Sequence, residues 1–128
     1  MIDHVSIKTS DPAASRRFYE KALAPLGYEV MMEFEDGQVV GMGVGSKPDF
    51  WLSAGDPSAP VHLAFSAADR ESVDAFHAAA LSAGGEDNGA PGLRTEYHPG
   101  YYGAFAYDPD GNNVEAVFHD PSEMKREE

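Results

Sequence analysis

One carboxylate stands out because it lies in the middle of an apolar strand-like run. Its neighbours Val114, Ala116 and Phe118 point to one side of a strand, and Glu115 points to the other. A carboxylate is costly to bury unless a cation meets it. Glu115 is therefore either exposed, paired with an Arg or Lys, or a ligand of a bound cation.

Two histidines begin segments that repeat one another. His4 and His62 each open an alternating polar and apolar run of the half-buried strand type, and they lie 58 positions apart. The same offset relates the pairs Asp11/Asp69, Phe18/Phe76, Ala22/Ala80, Leu23/Leu81 and Gly27/Gly85. These matches include residues that begin and end helices, so the repeat predicts two copies of one structural unit.

The alternation places all three polar side chains on the same side of the predicted sheet. If the apolar residues of each strand face the helices, then His4, His62 and Glu115 face the opposite, concave side. Two imidazoles and one carboxylate that converge from three strands suit a divalent metal with open positions for water or substrate. We therefore expect a facial triad at these three residues.

The repeat also predicts the architecture. Each half contains a strand, a helix and three strands, which predicts an α+β fold of two βαβββ modules forming one curved mixed sheet with helices on its outer face. Asp-Gly within Glu35–Gly37 predicts a hairpin turn, whereas Gly89–Gly92 predicts a loop before a strand at Leu93–His98. We expect one domain over residues 1–120, with modules at about 1–54 and 60–120, followed by a charged tail at 121–128.

Composition narrows the function. The 128-residue chain has no Cys, which excludes disulfides and thiolate metal sites, and its formal net charge of −13 disfavours nucleic acid and anionic membranes as partners. No basic leader or long apolar run precedes the first strand, so we expect a cytoplasmic location. The acidic charge does not identify a substrate, because an acidic surface is more often a solubility feature.

The run Asp108–Glu115, together with Asp3–Val5 at the start of the chain, resembles the vicinal oxygen chelate superfamily of glyoxalases, extradiol dioxygenases and resistance proteins. The resemblance implies paired βαβββ modules, metal ligands at His4, His62 and Glu115, and a homodimer in which the site lies within one chain or between two. The metal would be Fe, Mn, Ni or Zn. Glyoxalase I carries a fourth ligand, a Glu, at the position matching Trp51, so the resemblance is closer to members with three ligands.

The Leu93–Tyr102 segment concentrates Arg, His and Tyr side chains close in sequence to the strand that carries Glu115. His98 and Tyr102 are candidate general acids or bases, Arg94 is a candidate for binding a substrate carboxylate, and Tyr101 and Trp51 are candidate pocket residues. Alternation places the two tyrosines on opposite sides of the strand: if Tyr102 faces the concave side, Tyr101 faces away. Packing of the tyrosines at a sheet edge and pairing of Arg94 with a surface acid explain the same residues without a function.

Two classes of function fit these observations. One is a metal-dependent lyase or dioxygenase acting on a small oxygen-chelating substrate. The other is a resistance-type protein that binds a small molecule or an antibiotic without catalysis. Metal content distinguishes the two.

Overall fold

The computed structural model describes residues 1–123; residues 124–128 of the predicted tail lie outside the described part, and residues 121–123 form a short 3-10 turn. Within the described residues the chain forms two helices and eight strands. In chain order they are β1 (Val5–Thr9), α1 (Pro12–Leu23), β2 (Glu29–Phe34), β3 (Val39–Gly43), β4 (Phe50–Ala54), β5 (His62–Ser66), α2 (Arg70–Ser82), β6 (Glu86–Leu93), β7 (Tyr101–Tyr107) and β8 (Asn113–His119).

The two predicted βαβββ modules are confirmed. The first forms a four-stranded sheet in the order β1-β4-β3-β2, and the second repeats this arrangement as β5-β8-β7-β6. In each sheet the first strand pairs in parallel with the last, and the other neighbours are antiparallel. Within residues 1–123 the mixed sheet is divided into two, with no ladder joining them, and β1 and β5 are edge strands.

The helix starts follow the local sequence. Asp11 and Asp69 cap α1 and α2, since their side chains accept hydrogen bonds from the backbone N–H groups of Ala14 and Ser72. Gly27 takes the left-handed conformation, at φ 92°, after a 3-10 turn that extends α1. In the second module Gly84 takes this conformation instead of the expected Gly85.

The helices cover one face of each sheet and bury a shared core. Phe18 and Tyr19 of α1 and Phe76 of α2 are fully buried against strand residues. Phe50 of the first sheet contacts Phe65 of the second, with ring centroids 5.4 Å apart. Because this core holds the apolar face of each strand, the polar side chains of the strands point to the opposite side. In residues 1–123 neither helix combines the length and apolar character needed to cross a bilayer.

The loop predicted at Gly89–Gly92 and the strand predicted at Leu93–His98 are both wrong. β6 runs through Gly89–Gly92, and the segment predicted as a strand after Leu93 is a turn. β6 is an edge strand, and its pairing with β7 shifts register on both sides of Gly89. Edge position and bulges make Gly and Pro acceptable in a strand, which is why their local signal misleads.

The turn Asp108–Asn112 joins the two modules. The buried Asp108 accepts a hydrogen bond from the Tyr19 hydroxyl of α1, and Asp110 accepts hydrogen bonds from the backbone and hydroxyl of Ser10. Asn112 accepts a hydrogen bond from the backbone N–H of Val61, just before β5. This turn therefore stabilises the contact between modules and leads directly into the strand that carries Glu115.

Candidate functional site

Glu115 lies at the centre of the second sheet. It pairs with Ala64 of the edge strand β5 and with Phe105 of β7, and its neighbours Val114 and Ala116 belong to the core beneath the helices. Only 1% of Glu115 is exposed. The strand thus carries a buried carboxylate on the face opposite the helices, as its alternation predicts.

Two side chains satisfy this carboxylate. The Nε2 atom of His62 lies 2.6 Å from Oε1 of Glu115, and the hydroxyl of Tyr101 donates a hydrogen bond to Oε2. Within residues 1–123 no Lys or Arg forms an ion pair with Glu115. His62 is about half exposed, with 55% of its side chain accessible. The carboxylate is therefore buried beside an imidazole that solvent and ligands can reach.

Tyr101 connects this pair to an aromatic cluster. Its ring packs edge-on against Tyr97 and against His119, with centroid distances of 5.1 and 5.4 Å. Burial, together with the hydrogen bond to Glu115, raises the pKa of the Tyr101 hydroxyl well above its ordinary value. The hydroxyl therefore stays protonated and acts as a donor to the carboxylate.

Arg94 lies on the same face of the second sheet. Its guanidinium donates hydrogen bonds to the carbonyl oxygens of Ala90 and Gly92 and stands 5.3 Å from the centroid of the Phe105 ring. The Phe105 ring in turn lies 6.3 Å from that of His62. The buried ring of Phe105 thus lies between the cationic Arg94 and His62 of the His62–Glu115 pair.

His4 is not brought to this pair within one chain. It precedes β1, its side chain is exposed, and its Nδ1 atom lies 2.7 Å from Oδ1 of Asp3. In the described part of the chain no three His, Cys, Asp or Glu side chains form a group that could hold a metal. His4 lines a cleft of about 630 Å³ together with residues of β5 that include Ala64 and Ser66.

Trp51 occupies the position in the first sheet that corresponds to Glu115. It pairs with Ser6 and Gly41, as Glu115 pairs with Ala64 and Phe105. Its ring lies nearly parallel to that of Phe34, at 11° and a centroid distance of 6.1 Å. A Cβ atom on Gly41 would stand only 2.7 Å from the indole, so glycine there provides space for the ring.

Tyr102 lies on the helix side of β7 and not on the concave side. Its hydroxyl donates to Asp74 of α2 at 2.7 Å, and the Arg70 guanidinium lies 4.8 Å from its ring centroid. β7 begins at Tyr101, which pairs with His119 and thereby shares the face of Glu115. Because an irregular turn precedes β7, the sequence alone does not determine which residues of β7 share the face of Glu115. Tyr102 packs towards α2, away from the His62–Glu115 pair.

His98 lies near the aromatic cluster and has no hydrogen bond to Glu115 or His62 among the described residues. Its Nδ1 atom is 2.8 Å from the carbonyl oxygen of Pro99, and its ring stands 6.0 Å from that of His119. Sequence reasoning missed Phe105 and His119 on this face. Both follow from the alternation once the register with Glu115 is known.

The donor chemistry of the pair fits two positions of a divalent metal site. An imidazole nitrogen and a carboxylate oxygen, on neighbouring parallel strands, already lie within contact of one another. A metal ion would also supply the cation that the buried Glu115 lacks. A complete facial triad needs one further donor, and no His, Cys, Asp or Glu among the described residues supplies it beside the pair.

The fold is shared with solved structures of one superfamily. A glyoxalase/bleomycin resistance protein from Albidiferax ferrireducens T118 is 28% identical over 90% of this chain and 95% of its own, with a TM-score of 0.72. A putative glyoxalase from Bacillus halodurans is 25% identical over 92% and 95% of the two chains, with a TM-score of 0.66. A lactoylglutathione lyase from Agrobacterium tumefaciens is 20% identical over 92% of each chain, with a TM-score of 0.69, and shares the fold.

None of the curated proteins matches the chain. The family model of the Glyoxalase/Bleomycin resistance protein/Dioxygenase superfamily matches residues 1–116, which include the first module, the second module as far as the middle of β8, and the His62–Glu115 pair. The chain therefore belongs to the glyoxalase/bleomycin resistance protein/dioxygenase superfamily.

Proposed function

We propose that the protein is a metal-dependent enzyme, of lyase or dioxygenase type, acting on a small substrate with adjacent oxygen atoms. The observation that carries this proposal is the buried carboxylate of Glu115, which contacts the accessible imidazole of His62 and has no Lys or Arg partner in residues 1–123. Such a pair is costly as a purely structural feature, because burial disfavours the charged form. A bound metal ion would compensate the charge of the buried carboxylate.

Glu115 and His62 would hold Fe, Mn, Ni or Zn as an anionic and a neutral ligand. The bound ion would act as a Lewis acid that polarises the substrate oxygens. We infer that His4 of a second copy supplies the third protein ligand, since within the described part of one chain no His, Cys, Asp or Glu completes a group of three with His62 and Glu115. Its Nδ1 atom already contacts Asp3, which leaves Nε2 to bind. The proposal thus requires a homodimer.

The remaining residues of the face would bind the substrate. Arg94 would bind an anionic group, the edge of the Phe105 ring would contact an apolar part, and Trp51 would line the pocket. His98 is the candidate general acid or base at the rim of this face. Residues 1–120 would form one domain of a cytoplasmic protein. The formal net charge of −13 supports a small molecule over nucleic acid as the partner.

One observation favours a second function. Trp51 and Phe34 form an exposed aromatic stack where a fourth metal ligand would stand, and 51% of Phe34 is accessible. An aromatic surface on a concave sheet is suited to binding a drug-like molecule without catalysis. In that function the His62–Glu115 pair would be a hydrogen-bonded structural feature.

Metal analysis of four matched proteins tests the proposal. The parent, His4→Ala, His62→Ala and Glu115→Gln are loaded in turn with Fe(II), Mn(II), Ni(II) and Zn(II), dialysed, and compared by elemental analysis. We expect metal in the parent and a large loss in each variant, with circular dichroism unchanged. Glu115→Gln is the sharpest variant because it keeps size and removes charge. Equal metal in all four proteins, or none in the parent with any ion, would exclude the enzyme function.

A further inference from the structure

Tyr101 contacts only one of the two carboxylate oxygens of Glu115. Its hydroxyl donates to Oε2, while His62 contacts Oε1. We propose that Tyr101 is a positioning residue, which reserves Oε2 and thereby presents Oε1 as the single oxygen available beside His62. This inference rests on the proposed function and extends it, because it states how Glu115 binds a metal: through one oxygen.

The position of the Tyr101 ring is built by three neighbours. Tyr97 and His119 pack edge-on against the ring from different sides. Gly103, two residues along β7 on the same face, lies beneath it: a Cβ atom there would stand 3.1 Å from Cε1 of Tyr101 and 3.6 Å from Oε2 of Glu115. The absent side chain therefore allows the ring to cross the strand and reach the carboxylate.

Burial makes this hydrogen bond consequential. Glu115 is 1% exposed, so a carboxylate oxygen that lost its donor could not be satisfied by bulk water without rearrangement. Without the hydroxyl, the carboxylate is free to turn and offer both oxygens to an ion. Tyr101 therefore determines both the orientation of Glu115 and the number of oxygens it contributes.

The neighbouring Tyr102 provides a matched control. Tyr101→Phe and Tyr102→Phe each remove one hydroxyl, but that of Tyr102 binds Asp74 on the helix side. With Co(II) as probe, Tyr101→Phe should bind roughly 10–100-fold more weakly than the parent, the usual effect of losing a group that orients a ligand. Its visible absorption spectrum should also change. Tyr102→Phe should match the parent in both. Identical Co(II) affinity and spectrum for Tyr101→Phe and parent would overturn the inference and leave the proposed function standing.

A metal-free measurement separates failure of this inference from failure of the proposed function. The ¹⁵N shifts of the His62 ring are recorded at one fixed pH without metal, and His62→Ala provides the assignment. Tyr101→Phe should change them, because Glu115 moves relative to His62, whereas Tyr102→Phe should not. Gly103→Val keeps the hydroxyl but displaces the ring, and should resemble Tyr101→Phe. A parent that takes up no Co(II) contradicts the proposed function. Unchanged His62 shifts in both Tyr101→Phe and Gly103→Val contradict the positioning role in either case.

Discussion

Trp51 in the first sheet occupies the place that Glu115 occupies in the second. Trp51 pairs with Ser6 of the first module, and Glu115 pairs with Ala64, the residue at the equivalent place in the second. The two modules therefore present different chemistry at one structural position: an aromatic ring and a carboxylate. Together with His4 and His62 this equivalence predicts three protein ligands where a symmetric pair of modules would supply four.

A carboxylate at position 51 should complete a four-ligand site. Trp51→Glu is expected to bind Zn(II) or Ni(II) at least about tenfold more tightly than the parent, which corresponds to roughly 1.4 kcal/mol. Isothermal titration measures the affinity. Trp51→Gln is the control, since it also removes the stacking on Phe34 but adds no charge. Equal affinity of the Glu and Gln variants would contradict the equivalence of the two positions in the assembled site.

A site shared between two copies should be restored by mixing two defective chains. In a dimer of one His4→Ala chain and one Glu115→Gln chain, one shared site loses both ligands and the other keeps all of them. Doubly tagged mixed dimers should therefore carry about half the metal of the parent dimer, because a two-fold dimer repeats the same contact twice. Each variant alone should carry almost none. A site within one chain would leave the mixed dimer empty, and a monomer in sedimentation would exclude sharing altogether.

Metal binding should weaken in acid. Imidazole and carboxylate ligands bind only when deprotonated, so protons compete with the ion and affinity rises with pH. Dialysis of the loaded protein from about pH 7 to about pH 5 should release most of the metal while circular dichroism shows that the fold is retained. Retention of all the metal at the lower pH would point to an ion held by groups other than His4 and His62.

Asp110 should make stability depend on pH through the contact between modules. Burial raises the pKa of Asp110, but hydrogen bonds from Ser10, Thr9 and Ser15 outweigh it and hold the pKa below the ordinary value of 3.8. A depressed carboxyl pKa stabilises the folded state fully above the ordinary value, and this contribution is lost as the pH falls through the folded one. Asp110→Asn should therefore cost about 1 kcal/mol at neutral pH and less near pH 3.

Urea unfolding of the parent and of Asp110→Asn at both pH values tests this expectation. The exposed Asp56 of the linker supplies the matched control, since Asp56→Asn removes a charge without breaking a contact between modules. A difference between parent and Asp110→Asn that stays constant with pH would show that the ionised carboxylate is not what joins the turn to Ser10.

Much of the fold follows from local signals in the sequence. The caps at Asp11 and Asp69, the hairpin at Glu35–Gly37 and the strand alternation around Glu115 are each encoded within a few residues. The 58-residue repeat then predicted two modules, and counting from the apolar cores of their last strands predicted the equivalence of Trp51 with Glu115. Where pairing overrode local preference, the expectation was wrong: β6 runs through Gly89–Gly92 because an edge strand accepts bulges.

The composition of the candidate site was only partly readable from the sequence. Alternation correctly predicted that Glu115 and His62 share a face, because the two-residue period of a regular strand decides to which side each side chain points. The phase of the alternation after an irregular turn is set by pairing, so only the tertiary structure decided that Tyr101, and not Tyr102, contacts Glu115. The separation of His4 from His62 was likewise decided by how the two sheets pack, since the repeat specifies each module and leaves their mutual arrangement to the shared core.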